Sequence, residues 1–298
     1  MESLRAIRRK IGVVKNIQKI TQAMKMVAAA KLRKVQGRVA ASRPYAEKMR
    51  ELIDTVAPQV RDLRHPLLEV RKGNRLGLVV LTSDRGLCGS YNHNVIRQAV
   101  SFWESQPKER EMEILCVGRK GRDYFLRRGY NVVEHFHQIT EDSPFSEVRI
   151  VTQAIVGLYT REEKPVDAVY IAYTRFISAL QQRPQVVQFL PLAPPRPEEE
   201  EVVGNGYRPF PVEYIFEPEP EQLLSVLLPK FVNNQVYQYL LESLASEYGA
   251  RMTAMSNATD NAAELLETLT LQYNKARQAS ITKEILEIAT GAEALRQG

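Results

Sequence analysis

The last stretch of this chain, residues 221–296, has the pattern of one very long helix. From Lys230 to Arg296 it contains no proline and only two glycines, Gly249 and Gly291. Tyr237, Leu241, Leu244, Tyr248, Met252 and Met255 step by three and four, and Ala262, Leu265 or Leu266, Leu269, Tyr273 and Ala276 continue the row. That spacing lines one face of a helix with apolar side chains. At 1.5 Å per residue such a helix runs about 100 Å. A domain of ordinary size cannot enclose it, so it must leave the body of the protein and lie against something else. Ala250, Ala254, Ala258 and Ala262 sit four apart, and a row of small residues lets a second helix come close. Pro229 is expected to interrupt the helix early.

The partner is found at the other end of the chain. Residues 3–57 carry two apolar rows, Leu4, Ile7, Ile11 and Val14, and Val13, Ile17, Ile20, Met24 and Val27. Together they make a wide apolar face of the kind coiled coils use. Ser3 is placed to cap this helix, Gly12 and Gly37 weaken it locally, Pro44 permits a kink and Pro58 marks its end. Neither long helix can bury its seam alone. The economical arrangement is an antiparallel two-helix coiled coil with the intervening residues inserted near one end.

Those intervening residues change period. Residues 76–82 (LGLVVLT) read as a buried strand, followed by a polar loop over 83–90 and a helix over 92–104. A strand at 114–117, a helix at 119–128, a third strand at 132–136 and a helix at 146–160 capped by Ser146 follow. Strands at 166–176 and 185–190 complete the series. Strands alternating with helices imply βαβ units and a mostly parallel sheet. Residues 191–212, with Pro191, Pro194, Pro195 and Pro197, a Glu198–Glu201 run that has no assignable role, and Gly204 and Gly206, read as a surface loop. Residues 213–216 read as a short extended segment.

Charge is uneven. From Met1 to Val56, 14 Lys/Arg stand against 4 Asp/Glu, an excess of +10, while the whole chain is at +6, which leaves the rest at −4. A basic arm on a mildly acidic body suits an acidic partner. The arm lacks the interleaved aromatic residues of a nucleic-acid stacking surface, so a protein-facing role is expected and no nucleic acid. The stretch from Met1 to Lys19 imitates a mitochondrial presequence, but the same helical pattern runs on past any plausible cleavage point. No run of about 18 apolar residues appears, so no membrane span is expected.

Chemistry-bearing motifs are sparse. The loop at 83–92 lies between a strand and a helix, where α/β folds bind phosphate, but it fits neither G-x-G-x-x-G nor G-x-x-x-x-G-K-[ST]. A turn using Gly86 and Gly89 at positive φ is the expectation. Cys88 has no identifiable base, and Cys88 and Cys116 are too few for a disulfide framework or zinc cage. Of the four histidines, His65, His93, His135 and His137, only the last two alternate on one strand face, and a third ligand is lacking. No catalytic residue, metal site or cofactor is expected. Asn257-Ala258-Thr259 fits a glycosylation sequon but sits in a helix. Asn257, Asp260 and Asn261 either fix the register of the coiled coil or face solvent.

Longer motifs carry a resemblance. Residues 242–255 (ESLASEYGARMTAM), 257–262 (NATDNA), 273–288 (YNKARQASITKEILEI) and Gly291-Ala292 are similar to the gamma subunits of F-type ATP synthases of the bacterial kind. So are residues 8–11 (RRKI), 16–28 (NIQKITQAMKMVA) and 82–92 (TSDRGLCGSYN). The resemblance spans essentially the whole chain. It implies an α/β fold in which the N- and C-terminal helices form a long antiparallel coiled coil, with a Rossmann-like α/β domain inserted between them. The boundaries expected are 1–58, 72–212 and 213–298.

The function implied is that of the central rotor shaft of a rotary, proton-translocating ATP synthase, itself non-catalytic. The implied partners are the alpha and beta subunits of the catalytic ring, the epsilon subunit and the c-subunit ring. The implied location is peripheral, on the cytoplasmic face of the plasma membrane. By resemblance, Met24, Lys25, Arg277, Gln278, Thr282 and Glu284 lie where family members touch the catalytic ring. Ile285, Leu286, Ile288 and Leu295 would give the shaft tip an apolar bearing surface. Plant-chloroplast members carry a regulatory cysteine pair in an inserted loop; residues 193–212 hold no cysteine, so thiol control of that kind is not expected. The lack of a presequence points to a bacterial protein or a mature form.

Overall fold

A computed structural model describes residues 3–56, 60, 65–107, 109–192 and 219–296. The elements are α1 (Leu4–Val56), β1 (Arg75–Leu81), α2 (Tyr91–Glu104), β2 (Glu111–Val117), α3 (Arg119–Arg127), β3 (Val132–Phe136), α4 (Phe145–Thr160), β4 (Ala168–Phe176), β5 (Gln182–Leu190) and α5 (Pro220–Arg296). The chain divides into two compact units, Ala30–Ala250 and Met1–Ala29 with Arg251–Gly298. The expected end at Pro58, the loop with its Glu198–Glu201 run and the 213–216 segment lie outside the described residues.

In the larger unit, five strands form one sheet in the order β3-β2-β1-β4-β5. β1 pairs parallel with β2 and β4, β2 parallel with β3, and β5 antiparallel with β4. The alternation of side chains along a strand sorts β1 between two cores. Leu76, Leu78 and Val80 pack with Val95, Ile96 and Ala99 of α2 and Phe125 of α3. Val79 and Leu81 point the other way, against Val151 and Ile155 of α4 and Leu228, Val232 and Leu240 of α5. The start of the long helix is therefore part of the core over the sheet.

That burial explains why α5 runs straight through Pro229 where an interruption was expected. An internal proline costs about 3 kcal/mol. Leu224, Leu227, Leu228 and Val232 around it are all buried, and each contributes about 1.5–3 kcal/mol by leaving water. β2 begins at Glu111, ahead of the expected Ile114, because Glu113 is buried yet ion-paired with Arg75 and with Arg161 at 2.6 Å; an apolar run does not include it. α4 starts at Phe145 with Pro144 in the N-cap position, so Ser146 lies inside the helix and does not cap it. Ser3 does cap α1, its Oγ accepting from the Ala6 N–H at 3.3 Å.

α1 and α5 pair antiparallel within this unit. Leu32 and Val35 pack on Leu241, Leu244, Ala245 and Tyr248, and Met49, Ile53 and Val56 on Leu224 and Leu227. Gln238 donates to Ser42 at 2.8 Å. The neighbouring Glu242 is half-buried, with its buried Oε2 lacking a hydrogen-bond partner among the described residues.

Burial raises the Glu242 carboxyl above its ordinary value, and Arg175 and a backbone hydrogen bond from Phe176 oppose this only in part. The folded protein thus holds that proton at a higher pH than the unfolded chain does. The resulting stability is full below the ordinary carboxylate range and is lost as pH rises through the raised value. At Glu141, burial also pushes upward, but hydrogen bonds from Lys31 and Tyr248 outweigh it and hold the carboxyl below its usual range. Its contribution is lost as pH falls through the lowered value. Glu242→Gln should therefore stabilise the protein above the carboxylate range by about 1 kcal/mol, with no gain in acid. Thermal unfolding at matched pH values checks this, and an equal gain at every pH would contradict it.

In the smaller unit the two helix segments also run antiparallel. Thr21 donates to the Gln18 carbonyl, and Thr259 donates to Thr21 at 2.8 Å. Lys25 Nζ donates to Ser256 Oγ at 2.9 Å. In this unit residue n of α1 thus lies opposite residue 280 − n or 281 − n of α5.

A candidate interaction surface

The buried or half-buried positions of α1 in the smaller unit include 4, 7, 11, 14, 18, 21 and 28. Those of α5 include 252, 255, 259, 262, 266, 269, 273, 276 and 280. Both rows step mainly by three and four, the seven-residue repeat of a two-helix coiled coil. Leu266 takes the seam position and Leu265 is exposed. Asn257, Asp260 and Asn261 face solvent. The register contacts come instead from Thr21, Thr259, Lys25 and Ser256, polar residues inside sequence motifs that otherwise read as helical filler.

Only one of the two apolar rows of α1 enters the seam. Val13, Ile17, Ile20 and Val27 of the other row are exposed, and Met24 is half-buried. At about 100° per residue these five positions form a single narrow stripe along one side of α1. The single wide face expected from sequence is thus two faces, one closed by α5 and one open.

The far end of α5 is open as well. By the register above, α1 ends opposite about residue 277 of α5, and residues 281–292 are exposed throughout. Ile281, Ile285, Leu286 and Ile288 are among them, Ile288 at 72 %. At about 100° per residue, Arg277, Ile281, Glu284 and Ile288 fall within about 60° of one another, so charged and apolar groups share one side. Arg277 and Gln278 are exposed and their side chains have no partner among the described residues. The Thr282 hydroxyl donates back to the Gln278 carbonyl at 3.0 Å, and Ser280 lies 3.4 Å from Glu284. Lys25 is exposed but held by Ser256. Leu295 belongs to α5 by its backbone, and its side chain is outside the described residues.

Part of the basic arm is engaged internally. In the larger unit Lys31 pairs with Glu141 at 2.8 Å, Lys34 with Asp142, and Arg38 donates to the Ser143 carbonyl at 3.4 Å. Tyr248 of α5 also bonds Glu141. These basic side chains pin the segment before α4 to the helix pair.

The loop after β1 is filled by its own side chains. The Ser83 N–H donates to Asn92 Oδ1 at 2.9 Å, and Asn92 Nδ2 donates to Ser83 Oγ at 2.7 Å and to Cys88 Sγ at 3.1 Å. Asp84 accepts from the backbone N–H groups of Arg119 at 3.0 Å and Gln138 at 2.7 Å. Its carboxylate occupies the anion position that the N-terminus of α3 would otherwise offer. Gly89 takes positive φ as expected, but Leu87 rather than Gly86 is the second such residue. Cys88 and Cys116 are both buried and neither forms a disulfide, and burial pushes the Cys116 thiol up to about 12. His135 and His137 stack with ring centres 6.3 Å apart, and among the described residues no cluster of three His, Cys, Asp or Glu could hold a metal. Among these residues, no helix is long and apolar enough to cross a membrane.

Comparison with known proteins agrees along the full length. A family model described as ATP synthase matches residues 3–295. The ATP synthase gamma chain of Desulfitobacterium hafniense is 46% identical over 295 residues, covering 99% of this chain and 100% of that one. That of Heliobacterium modesticaldum is 46% identical over 296 residues with the same coverage. Among solved structures, a chain of the Euglena gracilis mitochondrial ATP synthase (OSCP/F1/c-ring, rotational state 3) superposes with a TM-score of 0.68 at 22% identity, covering 99% of this chain and 95% of that one. The fold is therefore the α/β fold expected, with its long terminal helices, and the chain belongs to the ATP synthase gamma-chain family.

Proposed function

We propose that this chain is the central rotor shaft of a rotary ATP synthase, coupling proton-driven rotation of the membrane c ring to conformational cycling of the alpha and beta subunits. The observation that carries this reading is the open apolar stripe beside the closed seam. A helix pair that needed only itself would bury one row and leave the rest polar. This pair keeps Val13, Ile17, Ile20 and Val27 exposed, together with the apolar end of α5, as an element surrounded by other chains requires.

The chain itself does no chemistry in this account. Paired helices stiffen one another, as transmission of torque requires. An asymmetric pair inside a threefold ring of alternating alpha and beta subunits cannot touch three catalytic sites alike. Its angle gives each site a different set of contacts, and differential contact is what biases a two-state element. Met24, Lys25, Arg277, Gln278, Thr282 and Glu284 are assigned to contacts with that ring, and Ile285, Leu286, Ile288 and Leu295 to the bearing at the tip. Arg277 and Gln278 are ready for such contacts, being exposed and unpartnered among the described residues. The α/β domain holds epsilon and the c ring, which keeps the chain peripheral at the cytoplasmic face of the membrane.

Co-expression of the tagged chain with alpha and beta subunits tests the assignment. Alpha and beta should be retained with the tag through a salt wash. Recovery of the tagged chain alone, while alpha and beta assemble without it, would reject the reading.

A further inference from the structure

The coiled-coil seam has a gap within the larger unit. By the register of the helix pair, Ser42 and Ala46 of α1 face Gln238 and Asn234 of α5, where large apolar residues fill the seam on either side. The gap opens into a cavity of about 440 Å³ whose walls include Tyr45, Phe145, Arg149, Lys230, Asn233 and Asn234. That volume is within the range of small-molecule sites, about 300–1,000 Å³. Lys230, Asn233, Asn234 and Tyr237 recur at i, i+3, i+4 and i+7, so one face of α5 forms the wall.

The chemistry of that wall is unbalanced. Arg149 and Lys230 line the cavity, no carboxylate does, and neither cation has a partner among the described residues. Asn234 is 6 % exposed and its side chain makes no hydrogen bond among those residues. Asn233 donates to the Pro229 carbonyl at 2.8 Å, but its buried Oδ1 has no partner among them. Buried amides are nearly always satisfied, so the unpaired Asn234 amide at the cavity wall calls for a partner such as water or a ligand. The remaining wall is aromatic: Phe145 and Tyr237 meet edge to face at 5.7 Å, and Tyr45 stands exposed beside them.

We propose that this cavity binds a nucleoside monophosphate. Two uncompensated cations lining the cavity suit one phosphate group, which takes charge-assisted hydrogen bonds from both. An aromatic wall suits the flat face of a base. The Asn234 amide offers a donor and an acceptor side by side, the pairing that an adenine edge satisfies. The volume accommodates one nucleoside and one phosphate, and the cations are too few for a triphosphate. The site is separate from the loop after β1, which Asp84 and Asn92 already fill.

Calorimetric titration of the full-length chain with AMP, adenosine and inorganic phosphate tests the proposal. AMP should bind at a single site with a dissociation constant on the order of 0.1 mM, and adenosine and phosphate each roughly tenfold more weakly. AMP should protect Arg149 from phenylglyoxal, read by peptide mass spectrometry. Arg149→Gln with Lys230→Gln, both at exposed positions, should weaken AMP binding roughly tenfold and leave thermal unfolding unchanged, while Lys230→Arg retains binding. No saturable heat with AMP, phosphate binding as tightly as AMP, or AMP binding indifferent to the double substitution would each overturn it.

Discussion

Gly118→Ala should destabilise the protein by about 4 kcal/mol, lowering its unfolding temperature by about 10 °C. Gly118 stands between β2 and α3 with φ at 100°, where L side chains are strained. Its N–H donates to the Phe136 carbonyl at 2.8 Å, so the residue also ties β2 to β3. A Cβ there would stand 2.1 Å from the Thr82 carbonyl oxygen. That oxygen is backbone at the end of the central strand and cannot swing aside. Thr82 is fixed twice more, its N–H donating to the Val117 carbonyl at 2.8 Å and its Oγ1 accepting from the Gly121 N–H at 2.9 Å. Relief of the clash must part β1 from β2 at the centre of the sheet. Gly129→Ala is the matched comparison: φ is 74°, but a Cβ meets nothing within 4 Å, so only the conformational cost of about 1 kcal/mol applies. Circular dichroism of the two variants checks the difference. Similar losses in both would show that the close approach to Thr82 has no weight.

Ile17→Asp with Ile20→Asp should reduce recovery of alpha and beta subunits with the chain by roughly a hundredfold, because unpaired charges would be forced into an apolar contact at several kcal/mol each. The same substitutions should leave the helix pair almost intact. Both positions are exposed and outside the seam, so the local cost is helix propensity, about 0.5 kcal/mol each. Val70→Asp, at a residue 72 % exposed in the other unit, controls for added negative charge and should leave recovery unchanged. Normal recovery with the double variant would mean that the open stripe is not a contact surface.

The stripe also shows where sequence reading stops. The apolar spacing of three and four marks both long helices, and alternation with turn residues marks the sheet, because each pattern follows locally from the helical or extended backbone period. Two apolar rows on α1 obey the same period, however, and only the partner decides which one closes. The partner helix comes from the opposite end of the chain, where Ser256 and Thr259 meet Lys25 and Thr21. The charges of α1 pose the same difficulty. Lys31 and Lys34 have the spacing of a solvated basic face, yet they bind Glu141 and Asp142, on the far side of three strands and two helices in sequence. The loop after β1 was legible as a strand-to-helix turn, but not the insertion of Asp84 between the backbone groups of Arg119 and Gln138. The proposed contact residues of α5 were legible through long motifs rather than through physics. Arg277 and Thr282 on a helix surface differ in no local pattern from other exposed polar residues.

Single-molecule rotation tests the central claim most directly. The ring of alpha and beta subunits is fixed to a surface, and a bead is attached to a cysteine placed at exposed Leu180 of the α/β domain, in a chain whose Cys88 and Cys116 are buried. With ATP supplied, the bead should turn in one direction and pause three times in each revolution, once for each catalytic site. Steady ATP hydrolysis with the bead bound but stationary would contradict the shaft account.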